Sequence, residues 1–106
     1  MTVPLRLDAT GATLRFVLRE GDGGATAERS RAATVDIGRE GRLVGVEVDL
    51  GTEEPLYLEV EPDASAYARS VPTSATVTVL PGGEVVMVEV SRRGAGYEVT
   101  YPVGNR

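Results

Sequence analysis

Glu47 and Glu89 come nearest, by type and placement, to a chemical site. They lie in the runs Val44-Gly45-Val46-Glu47-Val48 and Val86-Met87-Val88-Glu89-Val90. A strand that turns the flanking valines inward places both carboxylates on its other face. Paired carboxylates serve as general acid and base, or bind a hard cation, for which Asp36, Glu40 and Asp49 are further ligands. An acid–base pair also needs a cleft and two unlike environments, and no run has calcium-loop spacing. Solvated or arginine-paired carboxylates are therefore expected. Arg29 and Arg31, with Arg69, suggest an anion site at one end of the fold, blunted by Glu20 and Glu28. Gly21-Asp22-Gly23-Gly24 is not followed by the lysine and hydroxyl residue of a phosphate loop. Ser30, Ser65, Ser70, Ser74 and Ser91 have no histidine to activate them. Tyr57, Tyr67, Tyr97 and Tyr101 offer stacking surfaces, although Tyr97 and Tyr101 share a phase with Val99 and Val103, which predicts core packing.

Composition narrows the chemistry further. The chain has 106 residues, with neither cysteine nor histidine, and all 11 basic residues are arginine. Disulfides, thiolate and imidazole ligands, histidine triads and Schiff-base lysines are excluded. Sixteen acidic residues give a net charge of -5, the wrong sign for neutralising phosphates, so no nucleic acid partner is expected. The start of the chain shows no signal-peptide pattern, and no stretch approaches the roughly 18 apolar residues of a membrane span. A cytoplasmic bacterial protein is expected, with no membrane association. No cofactor, metal ligand or catalytic residue is assigned.

The elements that must position these residues are strands. Leu14–Leu18, Val44–Leu50, Leu56–Val60 and Val86–Val90 carry an aliphatic or aromatic residue at every second position, the period of a half-buried strand. Val3–Leu7, Ala33–Ile37, Ala75–Val79 and Tyr97–Val103 bring the count to about eight. Arg39-Glu40-Gly41 and Pro81-Gly82-Gly83 read as tight hairpin turns. The long links Glu20–Arg31 and Pro62–Ser74 are loops in which Ala25–Ala32 and Ala64–Ser70 are candidates for short helical turns.

The chain also repeats itself. A gapless shift of 42 residues aligns positions 14–50 with 56–92 and gives nine identities, among them Ala33-Thr34-Val35 with Ala75-Thr76-Val77 and Gly41 with Gly83. Each copy is too small to bury its own apolar face, so the two must share one core in a single domain.

Asp8, Leu14, Asp36, Gly41, Gly45 and Glu47 fall in a pattern of an acidic turn, a strand, and a hairpin reading Val-x-Asp-x-Asp-x-x-Gly-x-x-Val-Gly-Ile-Glu-Ile. In this the chain resembles the bacterial domain-of-unknown-function family 2283, over residues 1–50 and more weakly over 51–92. Ala12, Arg15 and Gly38 depart from the pattern in the first copy, Thr78 and Met87 in the second. The resemblance implies a small β-rich fold, often dimeric, with no established activity.

The expected protein is all-β: about eight antiparallel strands in two pseudo-symmetric halves, forming a small barrel or sandwich. The expected function is a non-enzymatic structural or protein-interaction module that self-associates. Val85 and Met87 lie in the strand pattern opposite Val86 and Val88, making that strand apolar on both faces. They are the candidate interface residues of a homodimer. The alternatives are a small-ligand-binding protein with a pocket between the halves, and an acidic antitoxin-like protein that binds a basic partner.

Overall fold

Alternation along the chain becomes nine strands in the computed structural model, which describes residues 2–20, 24–61 and 68–100. They are β1 (Arg6–Asp8), β2 (Thr13–Val17), β3 (Ala27–Ile37), β4 (Leu43–Val48), β5 (Leu56–Glu59), β6 (Arg69–Val79), β7 (Val85–Ser91), β8 (Arg93–Gly94) and β9 (Tyr97–Glu98). Seven form one curled antiparallel sheet in the order β1-β2-β7-β6-β3-β4-β5, and β8 and β9 make a small separate hairpin. The protein is all-β, a half-barrel around a core that includes Phe16, Leu14, Leu58, Val46 and Val88, each fully excluded from solvent. Thr2 links the two sheet edges. Its N–H donates to the Tyr57 carbonyl (2.7 Å), and its carbonyl accepts from the Glu59 N–H (2.8 Å).

The sheet is a palindrome under the 42-residue shift. Exchanging β2, β3 and β4 for β5, β6 and β7 reverses the order β2-β7-β6-β3-β4-β5 into itself. The registers agree residue by residue. Val35 faces Val46 and Val77 faces Val88, while Phe16 faces Val88 and Leu58 faces Val46. A bulge follows Asp36 in one hairpin and Thr78 in the other. The central β3–β6 ladder maps onto itself about the pair Ala32–Ser74, where the pseudo-twofold axis lies. Each half lends its first strand to the other half's last.

Three expectations need correction. Ala25–Ala32 was a candidate helical turn, but β3 already runs from Ala27. Its alanines and charges carry little strand preference of their own. Pairing with β6, from Ala27 opposite Val79 to Ile37 opposite Arg69, overrides that local indifference. β6 likewise begins at Arg69, inside the second candidate turn, whose residues 64–67 lie outside the described residues. The terminal strands are displaced: β1 covers Arg6–Asp8 rather than Val3–Leu7. β9 covers Tyr97–Glu98, and residues 101–103 lie outside the described residues.

Candidate functional site

The outer face of the sheet carries the two glutamates, and the halves treat them differently. Glu89 is half-buried beside its cross-strand neighbour Arg15, whose Nε lies 3.1 Å from its carboxylate. Glu47 has Tyr57 in Arg15's place, so no cation faces it from the adjoining strand. It shares a hydrogen bond with the buried Asp36 carboxyl, which also accepts from the Ser70 hydroxyl at 2.6 Å. Burial, then the charge of Asp36, then that hydrogen bond hold Glu47 above the usual carboxylate range. Burial and the carboxylates of Asp36, Glu47 and Glu59 likewise raise the Tyr57 hydroxyl.

A folded-state pKa above the unfolded value adds stability at low pH, and that stability is lost as pH rises through the raised value. Glu47→Gln removes the loss. The variant is expected to show a higher urea midpoint than the native chain at neutral pH, and the gap should close below the ordinary carboxylate range. A gap independent of pH would mean that burial and Asp36 do not raise Glu47 in the folded chain.

Tyr57 packs across Gly45. A Cβ there would lie 2.6 Å from the Tyr57 hydroxyl and 2.7 Å from the Leu58 carbonyl oxygen. The second half has Met87 at this place, beside Val17 and Arg15. Gly45→Ala should therefore destabilise by about 1–3 kcal/mol through overpacking. An unchanged denaturation midpoint would remove Tyr57 from that position.

Beyond the adjoining Asp36 and Glu47, the acidic candidates are not gathered. Glu40 is exposed in the hairpin turn, and Asp49 accepts the Gly51 N–H at 2.8 Å. Among the described residues no three acidic groups are placed to hold a metal.

The arginines behave differently from expectation. Arg69 stands opposite Ile37, at the far end of the β3–β6 ladder from Arg29 and Arg31, and donates to the Gly96 carbonyl (2.9 Å). Arg29 and Arg31 stand opposite Val77 and Ala75, in phase with the core residues Ala33, Val35 and Ile37. They line a groove of about 510 Å³ between the first half of β3, the Leu80–Gly83 turn and the Leu50–Thr52 segment. Val77, Val79, Leu80, Val85 and Leu50 supply its apolar part. The acids expected to blunt the arginines are directed elsewhere: Glu20 pairs with Arg6 at 2.7 Å, and Glu28 alternates to the other face. Arg15, Arg19, Arg6 and Arg93 each pair with a glutamate, whereas among the described residues Arg29 and Arg31 form no ion pair.

The pseudo-symmetric end of the sheet is filled. Val71 and Thr73 stand there in the places of Arg29 and Arg31. Tyr97 and Val99, both buried, complete the core at that end, with the Tyr97 hydroxyl 2.8 Å from the Ser91 carbonyl and 3.3 Å from Thr73. The Thr100 N–H donates to the Gly41 carbonyl (3.0 Å), closing over the hairpin turn equivalent to Pro81–Gly83. Tyr97 and Val99 thus pack as expected, while Tyr67 and Tyr101 lie outside the described residues, as does Gly21–Gly23.

Val85 needs correction too. The bulge turns it toward the core and the groove, and leaves the buried Val86 outside the core cluster. Met87 is half-buried on the outer face opposite Val17. The two do not share one surface, because strict alternation fails where two residues oppose one. The groove itself had a sequence signal: Arg29 and Arg31 continue the odd-numbered phase of Val35 and Ile37.

No family model, curated protein or solved structure matches the chain. Among the described residues no helix is long and apolar enough to cross a membrane.

Proposed function

We propose that this protein is a non-enzymatic binding module whose working surface is the groove between its two halves. It takes an apolar body that carries an acidic group. The observation that carries this reading is the pair Arg29 and Arg31, without ion-pair partners among the described residues, set in phase with the core over an apolar floor. Opposite the buried Val77 and Ala75, the exposed Arg29 and Arg31 present guanidinium groups from which a carboxylate or similar anion accepts two parallel hydrogen bonds. A pocket with convergent polar groups over apolar walls is the usual form of a ligand site.

Fluorescence titration with 8-anilinonaphthalene-1-sulfonate, an apolar anion, tests this. The native chain should bind it saturably, and the Arg29→Glu, Arg31→Glu double variant should bind at least about tenfold more weakly, the loss of one to two charge-assisted bonds. The variant's denaturant midpoint controls for folding. Binding indifferent to the two charges would overturn the reading.

Self-association has separate support at the N-terminal edge of the sheet. Val3 and Leu5 are 71% and 65% exposed beside the edge strand β1, and such an edge pairs readily with another chain. A homodimer joined there should be converted to monomer by Leu5→Arg and left intact by Met87→Arg. Sedimentation of the three proteins measures this, and a native chain that sediments as a monomer would reject it.

A further inference from the structure

The groove has one wall whose backbone is unfinished. β3 runs for 11 residues, but β4 pairs only with its second half, from Ala33. The Asp49 N–H closes the ladder on the Ala32 carbonyl at 2.9 Å. Backbone groups alternate sides along a strand, so those of Ser30 and Glu28 point the same way as those of Ala32. Among the described residues no strand pairs with them there, and the Glu28 carbonyl accepts a bond from the Arg29 Nη1 (3.1 Å) that an incoming carboxylate would draw away.

The pseudo-equivalent edge is protected. The residues of β6 that correspond to Glu28 and Ser30 are Ser70 and Pro72, and a proline has no N–H to offer a neighbour. At that end the chain also supplies its own filling, Tyr97 to Thr100. The fold thus contains one end blunted by proline and filled by an extended piece of polypeptide. At the other end, among the described residues, no strand covers this edge of β3, and the groove beside it carries two arginines.

We infer that the open end receives an extended acidic peptide segment of a partner protein, which adds to the free edge of β3 as an antiparallel strand. The inference rests on the binding role proposed for the groove and names its occupant. Carboxylates two residues apart meet Arg31 and Arg29, and an apolar residue follows opposite Ala27, toward Leu80 and Val79. The recognised pattern, read from the partner's N-terminus, is acidic-x-acidic-x-apolar. Main-chain bonds to Ser30 and Glu28 hold the segment, and the alternate side chains give selectivity. A second copy of this chain fits poorly by the same edge. Antiparallel pairing of two such edges about a twofold axis at Arg29 or Ser30 sets Arg29 against Arg29 or Arg31 of the second copy, and like charges directly opposed destabilise a ladder.

The test uses the capped peptide Ser-Glu-Ser-Glu-Ser-Leu-Ser and the full chain, with amide hydrogen exchange followed by NMR. Binding should slow exchange of the Glu28 and Ser30 amides at least about tenfold, while the amides of Arg29 and Arg31, already in the β6 ladder, change little. Methylating the nitrogens of the two central serines should weaken binding at least about tenfold, since each must lose a main-chain bond. Changing both glutamates to lysine should do the same. If the methylated peptide binds equally well and Glu28 and Ser30 stay unprotected, strand addition is wrong while the groove remains a binding site. If the naphthalene sulfonate binds through the arginines but no peptide does, the occupant is a small amphiphile. Protection of the same two amides that rises with protein concentration alone would assign the edge to a second copy.

Discussion

Val88→Asp is expected to abolish the cooperative unfolding transition of this protein at neutral pH. Val88 has no exposed surface and stands between Phe16 on β2 and Val77 on β6. An aspartate there has no cation within the core to pair with, and an unpaired buried charge costs on the order of 3–5 kcal/mol or more. That is a large part of the ~5–15 kcal/mol that holds a domain together. Val46→Asp should be as damaging, because Val46 occupies the same place between Leu58 and Val35. Glu89→Gln, one residue along the strand, removes only a half-exposed ion pair and should cost less than about 1 kcal/mol. Urea titration followed by circular dichroism compares the three. Equal midpoints for Val88→Asp and Glu89→Gln would mean that the inner and outer faces of β7 are interchanged.

Arg92→Leu is expected to be the most damaging substitution of a charged residue, at roughly 3 kcal/mol. The Arg92 side chain donates to the carbonyls of Gly11 (3.0 Å), Val99 (3.1 Å) and the buried Ala9. Its backbone bonds Ala12 and Val99. One guanidinium thus ties the β1–β2 turn to the segment that fills the closed end, and removing it leaves carbonyls without donors at a cost of about 1–3 kcal/mol each when buried. Leucine is what the first half has at this place, Leu50, which lines the groove instead. The variant should therefore also lose amide protection across Arg93–Val99, measured by hydrogen exchange under native conditions. A midpoint within about 0.5 kcal/mol of the native chain, the range of ordinary surface changes, would show that the closed end is held by Tyr97 and Val99 alone.

The fold was legible where one physical rule acted without competition. Val46–Val48 and Val88–Val90 alternate strictly, and both are strands with these valines inward. The palindromic order follows the same 42-residue shift that aligns their residues. Legibility failed where tertiary pairing overruled local preference. The run Ala27–Ala32 has the composition of a loop or a helical turn and becomes strand because β6 lies beside it. It failed again at the bulge, where Val85 turns inward although its spacing from Met87 placed both on one face. The carboxylate cluster was half legible: the facing of Glu47 and Glu89 follows from alternation, but the Arg15 partner of one and the Asp36 partner of the other depend on which strands adjoin. The groove was hardest to see, since its arginines, its turn and Leu50 meet only once the sheet curls.

On the function proposed above, two equivalent ends of one pseudo-symmetric sheet have taken different roles, one closed by the chain itself and one open to a partner. Calorimetric titration of the acidic heptapeptide into the Arg29→Val, Arg31→Thr double variant tests it most directly, because the variant carries the closed end's own residues, Val71 and Thr73, into the open end. It should fold with an unchanged or higher denaturant midpoint and give no binding heat where the native chain gives a saturable isotherm. Equal affinity in the two proteins would mean that Arg29 and Arg31 do not make the open end a binding site.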